Sequence, residues 1–161
     1  MSEIKNKTIF SLILLFSIFA LFVAYFIQYV LKHQPCNLCL IERIPYVLSI
    51  TVISICLFTK KFEQLSLIIL SLIFFSAMLI AFYHFGIEQG FIKESMVCDL
   101  NTKTNNLSKE ALLSQLKNMP LSCKEVTFKI FGLSLATFNI VISLILGVIT
   151  TKIFLTYEKN R

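Results

Sequence analysis

The sequence predicts an all-α integral membrane protein. We expect a four-transmembrane-helix bundle with two extracytoplasmic cysteine loops, the second carrying a short amphipathic surface helix. Of its 161 residues, 57% are hydrophobic and only 15% are charged, and the mean hydropathy is +0.80. A soluble domain of this size could not bury so many apolar side chains. The net charge of +6 is not concentrated in one run, which argues against a nucleic-acid partner.

Four apolar runs are each long enough to cross a hydrocarbon core, which takes about 20 helical residues. A cleaved signal peptide is the alternative for the first run, but that run exceeds the apolar region of such signals and ends in bulky residues. We treat residues 1–161 as one membrane domain. The predicted spans are 9–31, 40–58, 65–85 and 131–155, and the predicted outer loops are 32–39 and 86–130.

Lysine and arginine near the span ends predict the orientation, because cytoplasmic flanks are enriched in these residues. On the outer side, the segments that directly flank the spans hold fewer cations than those on the cytoplasmic side. The long outer loop contains six lysines, but acidic residues accompany them. We therefore expect both termini in the cytoplasm and both cysteine loops outside. The seven cations of the cytoplasmic flanks are Lys5, Lys7, Lys60, Lys61, Lys152, Lys159 and Arg161.

Reactive residue types are concentrated in one segment, Pro35–Tyr46, which reads PCNLCLIERIPY. Cys36 and Cys39 form a C-x-x-C pair, and Arg43 follows four residues later. On a continuous helix these three residues fall at i, i+3 and i+7 of one face. A nearby cation and a helix N-terminus both lower the pKa of a thiol. The motif therefore predicts an activated dithiol at the start of the second span.

The cysteines separate by predicted location. Cys36, Cys39, Cys98 and Cys123 lie on the outer side, where disulfides can form, whereas Cys56 lies within the second span and is interpreted as an inert apolar residue. The resting bonds could be Cys36–Cys39 with Cys98–Cys123, or a bond between the loops, Cys36–Cys123.

The second outer loop contains one further helical signal at residues 106–119. Ser108 can cap the helix, and Pro120 ends it just before Cys123. The apolar side chains of this segment form one stripe, which predicts a helix lying on the membrane surface or packed on the span ends.

Two close cysteines and two distant ones on one membrane face permit an electron relay by thiol–disulfide exchange. The sequence has no haem-attachment motif and no flavin or nicotinamide fingerprint. A lipid-soluble acceptor such as a quinone therefore remains, and Arg43 could stabilise the negative charge that develops there.

Three segments carry a resemblance to the disulfide bond formation protein B family of bacterial inner-membrane thiol:quinone oxidoreductases, and together they span nearly the whole chain. PCNLCLIERIPY resembles the first-loop motif of that family. The segment 83–88, YHFGIE, resembles its motif at the outer end of the third span. Cys123, followed by FGLSLA at 131–136 and by Asn139, resembles the entry to its fourth span.

The resemblance implies a mechanism. Cys98–Cys123 would be the disulfide that oxidises a periplasmic thioredoxin-like (DsbA-like) donor, with Cys98 attacked first. Cys123 would exchange with Cys36 and leave Cys39 as the thiolate facing ubiquinone or menaquinone. Arg43 and His84 match quinone-site positions of the family. The chain departs from the family at Gln89, Phe91 and Phe128, where tryptophan is frequent, and this departure concerns loop docking and partner choice.

Each of these assignments has a simpler alternative. Cys36–Cys39 could be a structural disulfide, and the four outer cysteines could bind zinc, although we predict no metal site because a second C-x-x-C is lacking. Arg43 could be an interfacial anchor, and His84 could be an ordinary hydrogen bonder. Glu88 is interpreted as a solvated loop residue.

Three functions are compatible with the sequence. The first is an enzyme, a thiol oxidase that passes electrons to a quinone. The second uses the same cysteines as an oxidase for one dedicated client or as a reductant that passes electrons outward. The third is a four-span structural scaffold with stapled loops.

Overall fold

The computed structural model describes residues 2–59, 63–93, 123–124, 129–130 and 132–159, and it confirms the predicted all-α membrane bundle. Cys98 and the helix predicted at 106–119 lie outside the described residues. Within these described ranges, four helical segments are long and apolar enough to cross a membrane. The described elements are α1 (Ser2–Tyr29), α2 (Asn37–Ile41), α3 (Ile44–Thr59), α4 (Glu63–Glu88), β1 (Lys129–Ile130), β2 (Leu133–Ser134) and α5 (Leu135–Lys159).

The second span is interrupted between α2 and α3. Pro45 has no backbone N–H, and its ring disfavours a helical carbonyl four residues earlier, at Ile41. The chain accordingly leaves the α-helix at Glu42–Arg43. Here the Arg43 N–H donates to the carbonyl three residues earlier, at Leu40, with a donor–acceptor distance of 3.2 Å. Because of this break, the Arg43 side chain points in a different direction from the two cysteine side chains. The three residues therefore do not share one continuous helix face.

The third span is longer at the cysteine end than the apolar run suggests. Helix α4 continues through His84 to Glu88, and the chain then turns back so that the Phe91 and Ile92 N–H groups both donate to the Gly86 carbonyl, at 2.9 and 3.1 Å. The interpretation of Glu88 as a solvated loop residue is therefore wrong. The extra helical turn places Glu88 on the same helix face as His84.

A short hairpin leads the chain into the last span. Ile130 pairs with Leu133, and Gly132 just before Leu133 adopts a φ of +83°, a conformation that side chains with a Cβ rarely adopt. Ser134 then caps α5, because its Oγ accepts a hydrogen bond from the Thr137 N–H at 3.3 Å. The hairpin and the cap fix the start of α5 beside the cysteine segment.

The bundle core lies towards the end opposite the cysteines. Helix α4 packs against α5 and α3, and α3 packs against α1. Hydroxyl pairs also join the helices: Ser17 with Ser49 at 3.1 Å and Ser71 with Thr151 at 2.8 Å. Large apolar side chains on the outward faces remain exposed, as expected for surfaces that contact lipid. The buried core comprises Phe10, Ile13, Ile53, Cys56, Leu67, Leu70, Phe74 and Leu146.

Candidate active site

The two cysteines of the C-x-x-C pair meet at the start of α2. Cys36 is the N-cap residue, and its Sγ accepts a hydrogen bond from the Cys39 backbone N–H at 3.2 Å. The two Sγ atoms lie 2.7 Å apart, and both thiols are free. Cys36 is buried, whereas Cys39 is only partly buried. The helix start thus holds both sulfurs at the edge of one cavity, with Cys36 the more buried residue.

His84 connects this dithiol to acidic side chains. Its Nε2 lies 3.5 Å from Cys36 Sγ and 3.7 Å from Glu88 Oε1, while its Nδ1 lies 2.7 Å from Glu42 Oε1. Because Nδ1 faces a carboxylate that can only accept, Nδ1 carries a proton. Nε2 can then exchange a proton with the Cys36 sulfur.

A hydrogen-bond network holds Glu42 in place from α5. Asn139 Nδ2 donates to Glu42 Oε2 at 2.9 Å, and the Asn139 carbonyl oxygen accepts from the Tyr46 hydroxyl at 2.5 Å and the Ser143 hydroxyl at 3.3 Å. Glu42 and His84 are both buried, and the network satisfies the Glu42 carboxylate on both oxygens. The orientation of His84 therefore depends on three helical segments.

The surroundings of Cys36 favour its thiolate. The hydrogen bond from the Cys39 thiol lowers the pKa of Cys36 from 9.0 to about 5, with His84 acting in the same direction and burial opposing both. From the sequence, we predicted that Arg43 and the helix N-terminus would lower the thiol pKa. In the structure the larger contributions come from Cys39 and His84, and the Cys39 backbone N–H adds a smaller one.

We expect the alkylation of Cys36 to reflect this lowered pKa. In a Cys56→Ala background, the rate with iodoacetamide should stay nearly constant between about pH 6 and 8 and fall below about pH 5, because only the thiolate reacts. The Cys39→Ala variant removes the hydrogen-bond donor and should move the profile to higher pH. A rate that rises tenfold per pH unit up to pH ~8 would instead indicate an ordinary thiol.

Arg43 is directed towards α1 rather than towards the sulfurs. Its Nη1 donates to Gln28 Oε1 at 2.6 Å and its Nη2 donates to the Ala24 carbonyl at 3.4 Å. The guanidinium also lies over the Tyr25 ring, 4.9 Å from its centroid. Arg43 therefore ties the α2–α3 turn to the first span and still borders the same cavity as the cysteines.

A cavity of about 350 Å³ opens beside the dithiol between α1 and α5. Polar groups line one end of it: Cys36, Cys39, Glu42, Arg43, His84 and Glu88. Its walls are formed by apolar side chains, Phe16, Phe19, Ala20, Val23, Ile27, Leu135, Phe138 and Ile142. The size and the apolar walls suit a flat, lipid-soluble molecule with polar atoms at one end. The same polar end could hold a metal ion through the two sulfurs and the His84 ring nitrogen.

Cys123 is the described cysteine of the predicted second outer loop. It is disulfide-bonded and packs in one small buried cluster with Cys36, Leu38 and Ile87. Cys98 lies outside the described residues. The structure thus brings Cys123 to the C-x-x-C pair, and it leaves Cys36 and Cys39 as thiols rather than in a bond between the loops.

Sequence reasoning missed two acidic residues of this site. Glu42 stands inside the motif at the start of an apolar span, where an ionisable side chain is a sign of function. Glu88 follows His84 by four residues, the spacing that places side chains together on a helix. Of the positions that depart from the family pattern, Gln89 is exposed and Phe91 is 85% exposed, whereas Phe128 lies outside the described residues.

Comparison with known proteins gives one family. The family profile "Disulfide bond formation protein DsbB" matches residues 6–153. The chain is similar to "Uncharacterized protein RP370" of Rickettsia prowazekii (strain Madrid E), with 27% identity over 158 residues, 97% of this chain and 91% of that one. No solved structure gives a significant match. Because the family profile covers nearly the whole chain, this multi-pass membrane protein belongs to the disulfide bond formation protein DsbB family.

Proposed function

We propose that this protein is a thiol:quinone oxidoreductase that supports disulfide bond formation. It would reoxidise a periplasmic thioredoxin-like thiol oxidase and pass two electrons to a membrane quinone, ubiquinone or menaquinone. The proposed location is the bacterial inner membrane, with both termini in the cytoplasm and both cysteine loops in the periplasm. One observation carries the proposal: the Cys36–Cys39 dithiol borders a cavity with apolar walls and a polar end.

Electrons enter this site through sulfur. Reduction of the disulfide at Cys123 by the donor frees that sulfur to attack Cys36 of an oxidised Cys36–Cys39 pair, and Cys39 leaves as the thiolate. Attack on Cys36 is supported by its packing beside Cys123 in one buried cluster. Cys98 is proposed as the sulfur that the donor attacks first. Once Cys123 has re-formed its own disulfide, Cys36 and Cys39 hold the electron pair as thiols.

Electrons leave through the cavity. Rejoining the two thiols as a disulfide releases two electrons and two protons, which a bound quinone would accept. Both cysteines border the cavity, and Cys39 is the less buried residue of the two, so we assign it as the one that faces the acceptor. His84 can take the Cys36 proton at Nε2 while Glu42 holds the ring through Nδ1. Arg43 places a fixed positive charge at the polar end.

Anaerobic thiol mapping of the purified chain in detergent tests this function. After reduction by a thioredoxin-like donor, Cys36 and Cys39 should be open to alkylation, and stoichiometric quinone should protect both. Redox states that do not respond to quinone would reject the proposal. A net flow of electrons from quinol to the donor would favour the outward-passing alternative. Unchanged cysteines with every donor would favour the structural scaffold.

The Arg43→Ala variant is expected to raise the KM for quinone by about 10–100-fold while thiol exchange with the donor persists, because it removes a charge-assisted contact worth roughly 1.5–3 kcal/mol. Separate steady-state titrations of quinone and of donor protein distinguish the two effects.

The matched control is Gln28→Ala. It removes a side-chain partner of Arg43 but keeps the guanidinium, so a smaller rise in KM is expected. Equal losses of quinone reduction and donor oxidation in a folded Arg43→Ala protein would contradict the role assigned to Arg43.

A further inference from the structure

Three metal-binding side chains meet at the polar end of the cavity. The ligand atoms of Cys36, Cys39 and His84 lie within 4.8 Å of one another, and none of the three residues is exposed. Thiolate sulfur and imidazole nitrogen are the donor atoms that zinc prefers, and four such ligands form its usual tetrahedral shell. The His84 nitrogen that can exchange a proton with Cys36 is thus also close enough to both sulfurs to share a metal ion with them.

His84 has the orientation of a metal ligand. Its Nδ1–H donates to Glu42 Oε1 at 2.7 Å, so Nε2 is the ring nitrogen that faces Cys36 Sγ, at 3.5 Å, and it can bind a metal once it carries no proton. Histidines that bind metals usually donate their other ring N–H to a carboxylate, and that carboxylate is itself hydrogen-bonded. Glu42 meets this condition through Asn139, at 2.9 Å.

Glu88 lies beside this group of three ligands, and one of its carboxylate oxygens is unused. Its side chain is 6% exposed, and its Oε1 lies 3.7 Å from His84 Nε2. Its Oε2 is buried and has no hydrogen-bond partner among the described residues. A buried carboxylate oxygen without a partner is costly, so this atom has room and need for a water molecule or an ion. Glu88 borders the same cavity end as the two cysteines and His84.

We propose that the reduced Cys36–Cys39 dithiol, together with His84 and Glu88, binds a divalent cation of the zinc class. The two sulfurs must move apart from 2.7 Å to about 3.8 Å to fit a tetrahedral ion with metal–sulfur bonds of about 2.3 Å. Cys39 borders the cavity and is only partly buried, so its side chain has room to turn. Binding releases the remaining thiol protons, because only thiolates coordinate the metal.

This site depends on the redox state of the dithiol. A Cys36–Cys39 disulfide offers no thiolate, so the cation binds only after electrons have reached the pair. Once bound, the cation is coordinated by both sulfurs, so the two sulfurs cannot form a disulfide. The four ligands then fill its coordination shell. If the proposed thiol:quinone function holds, such a cation inhibits the enzyme at its reduced stage, and a chelator restores activity.

Cobalt binding to the full-length protein tests the site without any quinone. The chain, purified in detergent, is reduced, freed of reductant under anaerobic conditions and titrated with Co²⁺, and thiolate-to-cobalt charge-transfer absorption is recorded. We expect one Co²⁺ per chain, displacement by Zn²⁺ and no binding after oxidation of the dithiol. The Cys56→Ala protein should behave like the parent, because Cys56 lies in the distant core.

Two variants separate the four-ligand site from simple chelation by a dithiol. Glu88→Gln keeps the side-chain size, and His84→Ala removes the nitrogen. Each should weaken Co²⁺ binding at least about tenfold, because loss of an outer-shell partner alone costs about 10–100-fold. Unchanged affinity in a folded Glu88→Gln protein would overturn the four-ligand site, and unchanged affinity in both variants would leave only a dithiol chelate. A protein that binds Co²⁺ in this way but fails to reduce quinone would reject the proposed function and retain the metal site.

Discussion

Replacing Cys36 with serine is expected to abolish thiol-dependent quinone reduction, with a loss of at least about a thousandfold. Cys36 shares a buried cluster with Cys123, and its sulfur accepts the Cys39 N–H and lies beside His84. A serine hydroxyl cannot form a disulfide, so both entry and exit of electrons should stop. The measurement is quinone absorbance in anaerobic membranes supplied with a reduced thioredoxin-like donor.

Cys56 provides the matched control within the same chain. It is a free cysteine, 3% exposed, in the apolar core around Ile53 and Leu70. The Cys56→Ala variant loses one buried sulfur, which should cost about 1–2 kcal/mol of stability and leave the rate near that of the parent protein. A Cys36→Ser protein that still reduces quinone at the parental rate would reject the dithiol as the reacting group.

The four spans were predictable because their signal is long and local. Each apolar run exceeds the thickness of the hydrocarbon core, and no tertiary contact is needed to detect it. Span ends are different, because they depend on single backbone hydrogen bonds. The interruption at Glu42–Arg43 follows from Pro45, whose position in the sequence was compatible with a helix starting nearby. The extension of α4 to Glu88 follows from contacts that bury residues after the apolar run.

The cysteines of the candidate site could be identified from the sequence, but the charged groups around them could not. Cys36, Cys39 and His84 are rare residue types in apolar surroundings, so the sequence marks them directly. Arg43 was assigned to the thiol face by counting along an uninterrupted helix, and the break at the α2–α3 turn sends it to α1 instead. Glu42 was overlooked because an acidic residue at a span end resembles a solvated one. Its burial arises only when α4 and α5 close over the motif.

The hydrogen-bond network couples stability to reactivity at this end of the bundle. Glu42 receives hydrogen bonds from α4 through His84 and from α5 through Asn139. Asn139 in turn accepts the Tyr46 hydroxyl of α3. The side chain that orients the histidine beside Cys36 is therefore also the one that joins three helices. A single substitution should disturb both properties at once.

Glu42→Ala is accordingly expected to destabilise the protein and to change Cys36 together. Removing one member of a buried ionic hydrogen-bond pair costs about 3–5 kcal/mol, on the order of 10 °C in apparent Tm for a chain of this size. His84 Nδ1–H and Asn139 Nδ2 would both lose their acceptor. The alkylation profile of Cys36 should move to higher pH, because an unheld His84 no longer supports the thiolate. Thermal unfolding in detergent and alkylation of Cys36 measure the two effects separately.

Glu42→Gln is the conservative partner of this variant, because its amide oxygen can still accept from His84 Nδ1–H. The amide nitrogen then faces Asn139, whose side chain must turn to offer its carbonyl and thereby gives up the Tyr46 hydroxyl. We expect an intermediate loss of stability, about 1–2 kcal/mol. The pH profile of Cys36 alkylation should stay close to that of the parent protein. If both variants melt within about 2 °C of the parent protein, the network does not hold the helices together. If both variants shift the Cys36 profile equally, the charge of Glu42 supports the thiolate by favouring a protonated His84, and the hydrogen bond alone is not enough.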